Sequence, residues 1–261
     1  MAKLQGKIAI ITGSASGLGK QHALRFAQEG ASLAICDVRE DKLMETRQLC
    51  EDMGVEVSAQ RCDVGDVDDL KSFVAATVDR FGTIDALVNN AHKITEIRPF
   101  LEQTIDDLDI ELRTSLYASW HMMKLCFPYM KDKPGAGASI INVASKAGIE
   151  GTPHYAAYAA SKESIRGLSR VVAREWGQHN IRVNTVCPGG WTDNVTGNLE
   201  SLKKTPGALD WVTDAFKANP FGTIGDPFND VSPIFVFLAS DDSHWITGQN
   251  LHADGGAWIS A

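Results

Sequence analysis

A continuous apolar run, Lys7-Ile8-Ala9-Ile10-Ile11-Thr12, leads directly into Gly13-Ser14-Ala15-Ser16-Gly17-Leu18-Gly19, and then into a stretch with Ala23, Leu24, Phe26 and Ala27 at helical spacing. Few folds accept that order. A strand without polar alternation is one buried on both faces, as in a parallel sheet covered by helices. Glycines between such a strand and a helix let the backbone approach a pyrophosphate, and the unpaired N–H groups of the helix start supply its donors. The stretch therefore predicts a nucleotide cradle made by Gly13, Ser16, Gly17, Leu18 and Gly19.

The alternation continues through the chain. A strand from Ser32 to Cys36 ends at Asp37; a helix over 40–54 stops at Gly54; a strand over 55–62 precedes a helix over 66–81 with Leu70, Phe73, Val74, Thr77 and Phe81 on one stripe. Strand Ile84 to Val88 is followed by a long helical stretch from Ile105 to Met130, whose Leu108, Leu112, Leu116, Trp120 and Met123 read as mostly core, with a subunit interface as their other use. Strands from Ser139 to Ala144 and from Ile181 to Cys187 flank a helix reaching about Gln178, and a last helix, Val231 to Ala239, precedes a closing strand. Strands alternating with helices across short links predict an α/β fold with a doubly wound parallel sheet and helices on both faces. No repeat or linker interrupts it, so residues 1–261 read as one domain. Residues 191–226 combine Trp191, Leu202, Leu209, Trp211, Val212 and Phe216 with Pro206, Gly207, Pro220, Gly222 and Gly225. That composition predicts an apolar substrate lid on glycine and proline hinges, or else a flap packed permanently on the core.

A formal charge of −8 argues against a general nucleic-acid binder. No apolar run reaches membrane-spanning length, and the N-terminal residues carry no signal-peptide pattern, so the expected location is cytoplasmic. Cys36, Cys50, Cys62, Cys126 and Cys187 are scattered and odd in number, the pattern of buried reduced thiols rather than disulfides or a metal site.

Candidate chemistry centres on Tyr158 and Lys162, which leave one face of a predicted helix. An ammonium about 4 Å from a phenol at an effective dielectric near 20 is worth roughly 4 kcal/mol, or about three pKa units, which would bring the phenol close to neutrality. Such a tyrosine can exchange the proton of a hydroxyl while another group moves a hydride. Ser145, at the end of the fifth strand, is the polar donor available to polarise a carbonyl beside it. A carboxylate at Asp37 can accept both ribose hydroxyls of an adenosine and repel a 2′-phosphate, which favours NAD over NADP; capping the next helix is its other use, and Arg39 nearby is of the type that accommodates a phosphate. Asp63 and Val64 stand at the ligand edge of the third strand, either flanking an adenine or capping the following helix.

These features together resemble the short-chain dehydrogenase/reductase family along essentially the whole chain: Thr12-Gly13-x-x-x-Gly17-x-Gly19, Asp63-Val64, Asn89-Asn90-Ala91, Ser145, Tyr158-x-x-x-Lys162, Asn184 and Pro188-Gly189. The resemblance implies a Rossmann-type fold, a nicotinamide cofactor and a homotetramer. It also implies that Tyr158 is the general acid/base, that Lys162 lowers its pKa and holds the nicotinamide ribose, and that Ser145 positions the substrate oxygen. Asn89, Ala91, Pro188 and Gly189 are implied cofactor contacts. The sequence departs from the family pattern at three places. His92 replaces the usual glycine after Asn-Asn-Ala, where it would be strained if a positive φ were required, and lines the substrate pocket or stands as a tolerated loop residue. Ser115 occupies the place of the asparagine that holds a water near the lysine, which predicts a modified proton relay. Asp193 stands where a threonine is usual, so Thr192 is the expected contact to the carboxamide.

The expected function is NAD-dependent interconversion of a secondary alcohol and a ketone. The apolar lid, Trp191, and the segment His154-Tyr155 point to a hydrophobic or cyclic substrate, steroid-like ones included. An acyl-thioester 3-oxo reductase of the same family and a non-catalytic NAD(H)-binding protein are the competing readings. No metal, nucleic-acid or membrane partner is expected.

Overall fold

The computed structural model describes residues 2–190 and 219–259. Its centre is a seven-stranded sheet in the order β3-β2-β1-β4-β5-β6-β7, in which every pairing is parallel. The strands are β1 (Ile8–Thr12), β2 (Ser32–Asp37), β3 (Val57–Arg61), β4 (Ala86–Asn89), β5 (Ala138–Val143), β6 (Ile181–Pro188) and β7 (Asn250–Ala253). The helices are α1 (Gly17–Gln28), α2 (Glu40–Glu51), α3 (Val67–Phe81), α4 (Ile105–Leu112), α5 (Ala118–Met130), α6 (Lys146–Glu150), α7 (Ala156–Trp176) and α8 (Ser232–Ala239).

Successive strand residues point to opposite faces, so an unbroken apolar strand feeds two cores. Ile11, Leu33, Ile35 and Val88 pack with Phe26 of α1, Leu43 of α2 and Phe235 of α8. Ile10, Ala34, Leu87 and Ile140 pack on the other face with Phe73 of α3, Met122 of α5 and Val172 of α7. The doubly wound architecture expected from the alternation is the one observed.

One local reading needs correction. The stretch from Ile105 to Met130 is helical but carries a π turn at Arg113–Tyr117. On its first half the side turned inward is Asp107, Glu111, Thr114, Ser115, Ala118 and Ser119, while Leu108, Leu112 and Leu116 are half-buried and Trp120 is exposed. The apolar stripe thus faces away from the core, because the neighbouring loop after β4 offers polar partners to the other side. The segment after Ser145 leads into a short helix. This is α6, which packs closely on α7 at Gly148, where an added Cβ would lie 3.0 Å from Glu163 Cγ and 3.2 Å from Ala159 O.

Helix α1 is tied to α8 by His22. Its Nδ1 lies 2.8 Å from Ser232 Oγ, whose own proton goes to Pro227 O, so Nδ1 carries the imidazole proton. The ring packs on Phe235 with centroids 3.8 Å apart. Burial pushes its pKa from 6.5 down to about 3, so below 6.5 the unfolded chain binds a proton that the folded chain refuses. Stability from His22 is therefore present above its unfolded pKa and lost as pH falls toward the folded one. Comparing wild type with His22→Gln by chemical denaturation at about pH 7.5 and about pH 5 should show wild type losing about 2 kcal/mol more than the variant.

Candidate active site

All strands of a parallel sheet end at one edge, and the predicted site residues lie along it. Thr12 ends β1, with Asp37, Asn89 and Pro188 ending β2, β4 and β6, while Asp63 and Ser145 follow closely on β3 and β5. The order of strands places β1 between β2 and β4, where the winding reverses and a crevice opens.

The glycine loop crosses that crevice at close quarters. A Cβ on Gly13 would meet Ala91 Cα at 2.8 Å, and one on Gly19 would meet Gly13 O at 2.1 Å. Asn90 holds the loop down, its side-chain amide donating to Thr12 O at 2.9 Å and Gly13 O at 3.3 Å. Thr12 Oγ1 in return accepts the N–H groups of Asn90 at 3.1 Å and Ala91 at 3.0 Å. Ser16 precedes α1 without a side-chain cap on that helix, and Leu18 is half-buried against the first core cluster. Asn89 itself turns inward, donating to Asn142 Oδ1 at 2.7 Å.

Asp37 is not the cap of α2. Its carboxylate accepts from Ala15 N at 3.0 Å in the glycine loop and from Arg39 N at 3.0 Å, and Arg39 supplies the N-cap position itself. The Arg39 guanidinium lies along Asp37 at 3.1 Å and reaches Ser16 Oγ at 2.8 Å. Asp63 does not cap α3 either; Asp66 does, accepting from Asp68 N and Asp69 N, while Asp63 Oδ1 accepts from Gly65 N at 2.8 Å. Val64 is nearly buried beside Cys36 and Cys62. Gly189 N donates to Ala253 O at 2.8 Å, and its missing side chain leaves room for Asp254.

Tyr158 stands in the first turn of α7, and Ser145, in extended backbone at the start of α6, faces its phenol. Lys162 is buried below, its ammonium donating to Val143 O at 3.0 Å and lying 5.7 Å from the Tyr158 ring centroid. His92 meets the ring edge-on at 5.1 Å and Tyr155 at 5.7 Å. His92 does not adopt a positive φ, so the glycine's replacement strains nothing; His154 does, at 71°. The carbonyl of His154 is fastened by Gln103 Nε2 at 2.9 Å, and Gln103 Oε1 accepts from Ala157 N, so this glutamine sets the entry to α7. Ser115 is buried on the π turn. Trp191, Thr192 and most of the 191–226 segment lie outside the described residues.

The charge balance differs from the expectation built on spacing alone. Burial holds the Tyr158 phenol well above its ordinary value, the Glu111 carboxylate adds to that, and the hydrogen bond from Ser145 offsets it. The same burial lowers Lys162 to about 8, with Glu111 opposing the shift. Desolvation outweighs the cation–phenol attraction because the ammonium is turned toward a backbone carbonyl and not toward the phenol oxygen. Tyr155 is pushed up to about 12 by burial. Among the described residues no group of three or more His, Cys, Asp or Glu side chains is placed to hold a metal ion, and no helix is long and apolar enough to cross a membrane.

Sequence reasoning passed over Asn90, Gln103 and Glu111. Glu111 carried a signal: it precedes Ser115 by one helical turn, on the same side of the stretch.

The model of a family described as Enoyl-(Acyl carrier protein) reductase matches residues 13–257. The chain is 38% identical to a 12alpha-hydroxysteroid dehydrogenase of Clostridium sp., covering 98% of each chain. It is 36% identical to a 3-oxoacyl-acyl-carrier-protein reductase of Thermotoga maritima, over 98% of this chain and 100% of that one. A solved NAD+-bound xylitol dehydrogenase superposes with a TM-score of 0.90 at 30% identity, over 97% of this chain and 100% of the other. The chain belongs to the short-chain dehydrogenase/reductase family and is an oxidoreductase of that family, with a Rossmann-type fold.

Asn90→Ala removes the amide that pins the glycine loop, leaving Gly13 O short of a donor. It should destabilise the fold by about 1–3 kcal/mol, read by denaturant unfolding, and weaken dinucleotide binding in a fluorescence titration.

Proposed function

We propose that this protein is an NAD-dependent alcohol dehydrogenase/ketone reductase acting on a secondary alcohol or ketone of hydrophobic or cyclic, steroid-like shape. The observation that carries the reading is the junction of Ser145, Tyr158 and Lys162 at the sheet edge, beside a glycine loop too tight for side chains.

That loop fits a dinucleotide. Gly13, Ser16, Gly17, Leu18 and Gly19 would hold the pyrophosphate at the N-terminus of α1, and Asp37 the adenosine ribose. Asp63 and Val64 would flank the adenine. Asn89, Ala91, Pro188, Gly189 and Thr192 would border the nicotinamide half, with Lys162 on its ribose. When bound, the nicotinamide gives or takes the hydride, and its oxidised form adds a positive charge that favours the phenolate.

Ser145 donates to the substrate oxygen and holds it beside Tyr158, stabilising negative charge there as it develops. In ketone reduction the protonated phenol is the form the buried site already favours, and Tyr158 delivers its proton to the nascent alkoxide. In alcohol oxidation Tyr158 acts as phenolate and removes the hydroxyl proton, with the Lys162 ammonium opposing the cost of a buried negative charge. His92 and Tyr155 bracket the Tyr158 ring and would touch the substrate, and His154 and Trp191 are the further residues to which we assign substrate contact.

The kinship with a 12alpha-hydroxysteroid dehydrogenase supports a polycyclic alcohol. The kinship with a 3-oxoacyl-acyl-carrier-protein reductase supports a second reading, reduction of a 3-oxoacyl thioester. We read the chain as one catalytic domain, lidded by 191–226, that works in the cytoplasm. The half-exposed stripe of Leu108, Leu112, Leu116 and Trp120 supports assembly into a homotetramer.

Tyr158→Phe should cut turnover by about a thousandfold while NADH binding stays near wild type; simultaneous loss of both would contradict the role given to Tyr158. The substrate class is settled by a panel of hydroxysteroids, cyclic alcohols and 3-oxoacyl thioesters, in which the steroids or cyclic alcohols should show the highest kcat/KM. Asp37→Ala should raise kcat/KM with NADP relative to NAD by about tenfold or more, because Arg39 is then released from its carboxylate to meet a 2′-phosphate. No change in that ratio would remove Asp37 from the discrimination.

A further inference from the structure

One buried cluster beside Tyr158 has no part in the proton transfers described so far. Glu111, on the inward side of α4, is fully buried. Its Oε1 accepts from Thr95 N at 2.7 Å and Thr95 Oγ1 at 3.0 Å. Its Oε2 approaches His92 Nε2 to 2.8 Å, at an angle outside hydrogen-bond geometry. The His92 ring also sits against Tyr158, with centroids 5.1 Å apart and the rings at 70°. Among the described residues neither ring nitrogen of His92 has a hydrogen-bond partner, and the buried hydroxyl of Ser115, four residues past Glu111, has none either. A phenol, an imidazole and a carboxylate thus follow one another from the site to the Thr95 loop, where Thr95 is half-buried and Lys93 and Glu96 are exposed.

We propose that His92 and Glu111 form a proton relay that connects Tyr158 with solvent at the Thr95 loop. The inference rests on Tyr158 being the acid/base group. In alcohol oxidation Tyr158 gains the substrate proton as its phenolate becomes a phenol. It then passes a proton, directly or across one water, to Nδ1 of His92, while the Nε2 proton moves to Glu111. The phenolate is restored, the imidazole exchanges tautomers without becoming charged, and the carboxylate becomes a carboxylic acid. Glu111 then releases its proton at the loop, and the imidazole recovers its first tautomer as Nδ1 gives a proton to water and Nε2 takes one from water. Ketone reduction runs the same transfers backwards.

The surroundings favour a neutral imidazole that hands protons on over one that stores them. His92 faces Glu111 from α4 and both Tyr158 and Lys162 from α7, while Tyr155 and Cys187 lie further round the phenol and the ammonium. Burial and the Lys162 ammonium lower its pKa to about 4, and the Glu111 carboxylate pulls the other way. Glu111 and Ser115 lie one turn apart, so the relay leaves from the place where the family's usual asparagine is missing.

The test uses the full chain with NAD(H) and the best alcohol of the substrate panel. His92→Gly and Glu111→Gln should each lower kcat by about tenfold or more, with NADH binding near wild type in both, KM near wild type in Glu111→Gln, and a larger solvent deuterium isotope effect on kcat. Added imidazole should restore turnover to His92→Gly and not to Glu111→Gln. Nitrogen NMR of the free protein should find His92 neutral, with its proton on Nε2. His92→Asn, which keeps a polar group of similar reach but cannot relay, stands in if Glu111→Gln fails to fold, and should lose turnover without imidazole rescue. Unchanged turnover, or a loss that imidazole does not reverse and that leaves the isotope effect as in wild type, overturns the relay while the oxidoreductase reading stands. Wild type inert toward every alcohol and ketone overturns both.

Discussion

A parallel sheet covered by helices on both faces gives water access only at the ends of its strands. In this protein that constraint does most of the positioning. Ile10 and Ile11 go to opposite cores, so a one-residue slip of β1 would turn each side chain into the other core, where the facing helices are packed for a different shape. With the register held in this way, Thr12, Asp37, Asn89 and Ser145 arrive together at one edge, although they are far apart along the chain. Nothing in the chemistry of these residues draws them together; the burial of valine, leucine and isoleucine does.

The edge is then tightened by polar locks. Thr12 and Asn90 exchange hydrogen bonds between the ends of β1 and β4, which lets the glycine loop lie against Ala91. Gln103 ties the turn at His154 to the start of α7 and so aims Tyr158. Each lock pairs groups that would otherwise be desolvated without a partner, and such groups are expensive to leave unmade.

Much of the site was legible as sequence because its parts are local. The glycine spacing, the acidic residue closing β2 and the Tyr158–Lys162 spacing all express the geometry of one turn or one helix face. The electrostatics were less legible. Spacing suggested that Lys162 would draw the phenol toward neutrality, whereas burial dominates and holds it up. Periodicity likewise misassigned Leu108, Leu112 and Leu116, since a hydrophobic stripe reports that a face is covered without saying by what. Here the covered inner face is polar, and Glu111 was hidden by that inversion.

The sequence by itself determined the order of strands and helices, the nucleotide-binding turn and the identity of the residues able to exchange a proton, because these depend on propensities and spacings within about twenty residues. Only the tertiary structure decided what stands next to Tyr158. The contacts of His92 with Tyr158, of Arg39 with Ser16, and of Lys162 with the Val143 carbonyl are made across the sheet edge between different elements, and that of His92 with Glu111 joins the loop after β4 to α4. Their strength depends on how much water the packing removes, and no stretch of sequence carries that quantity.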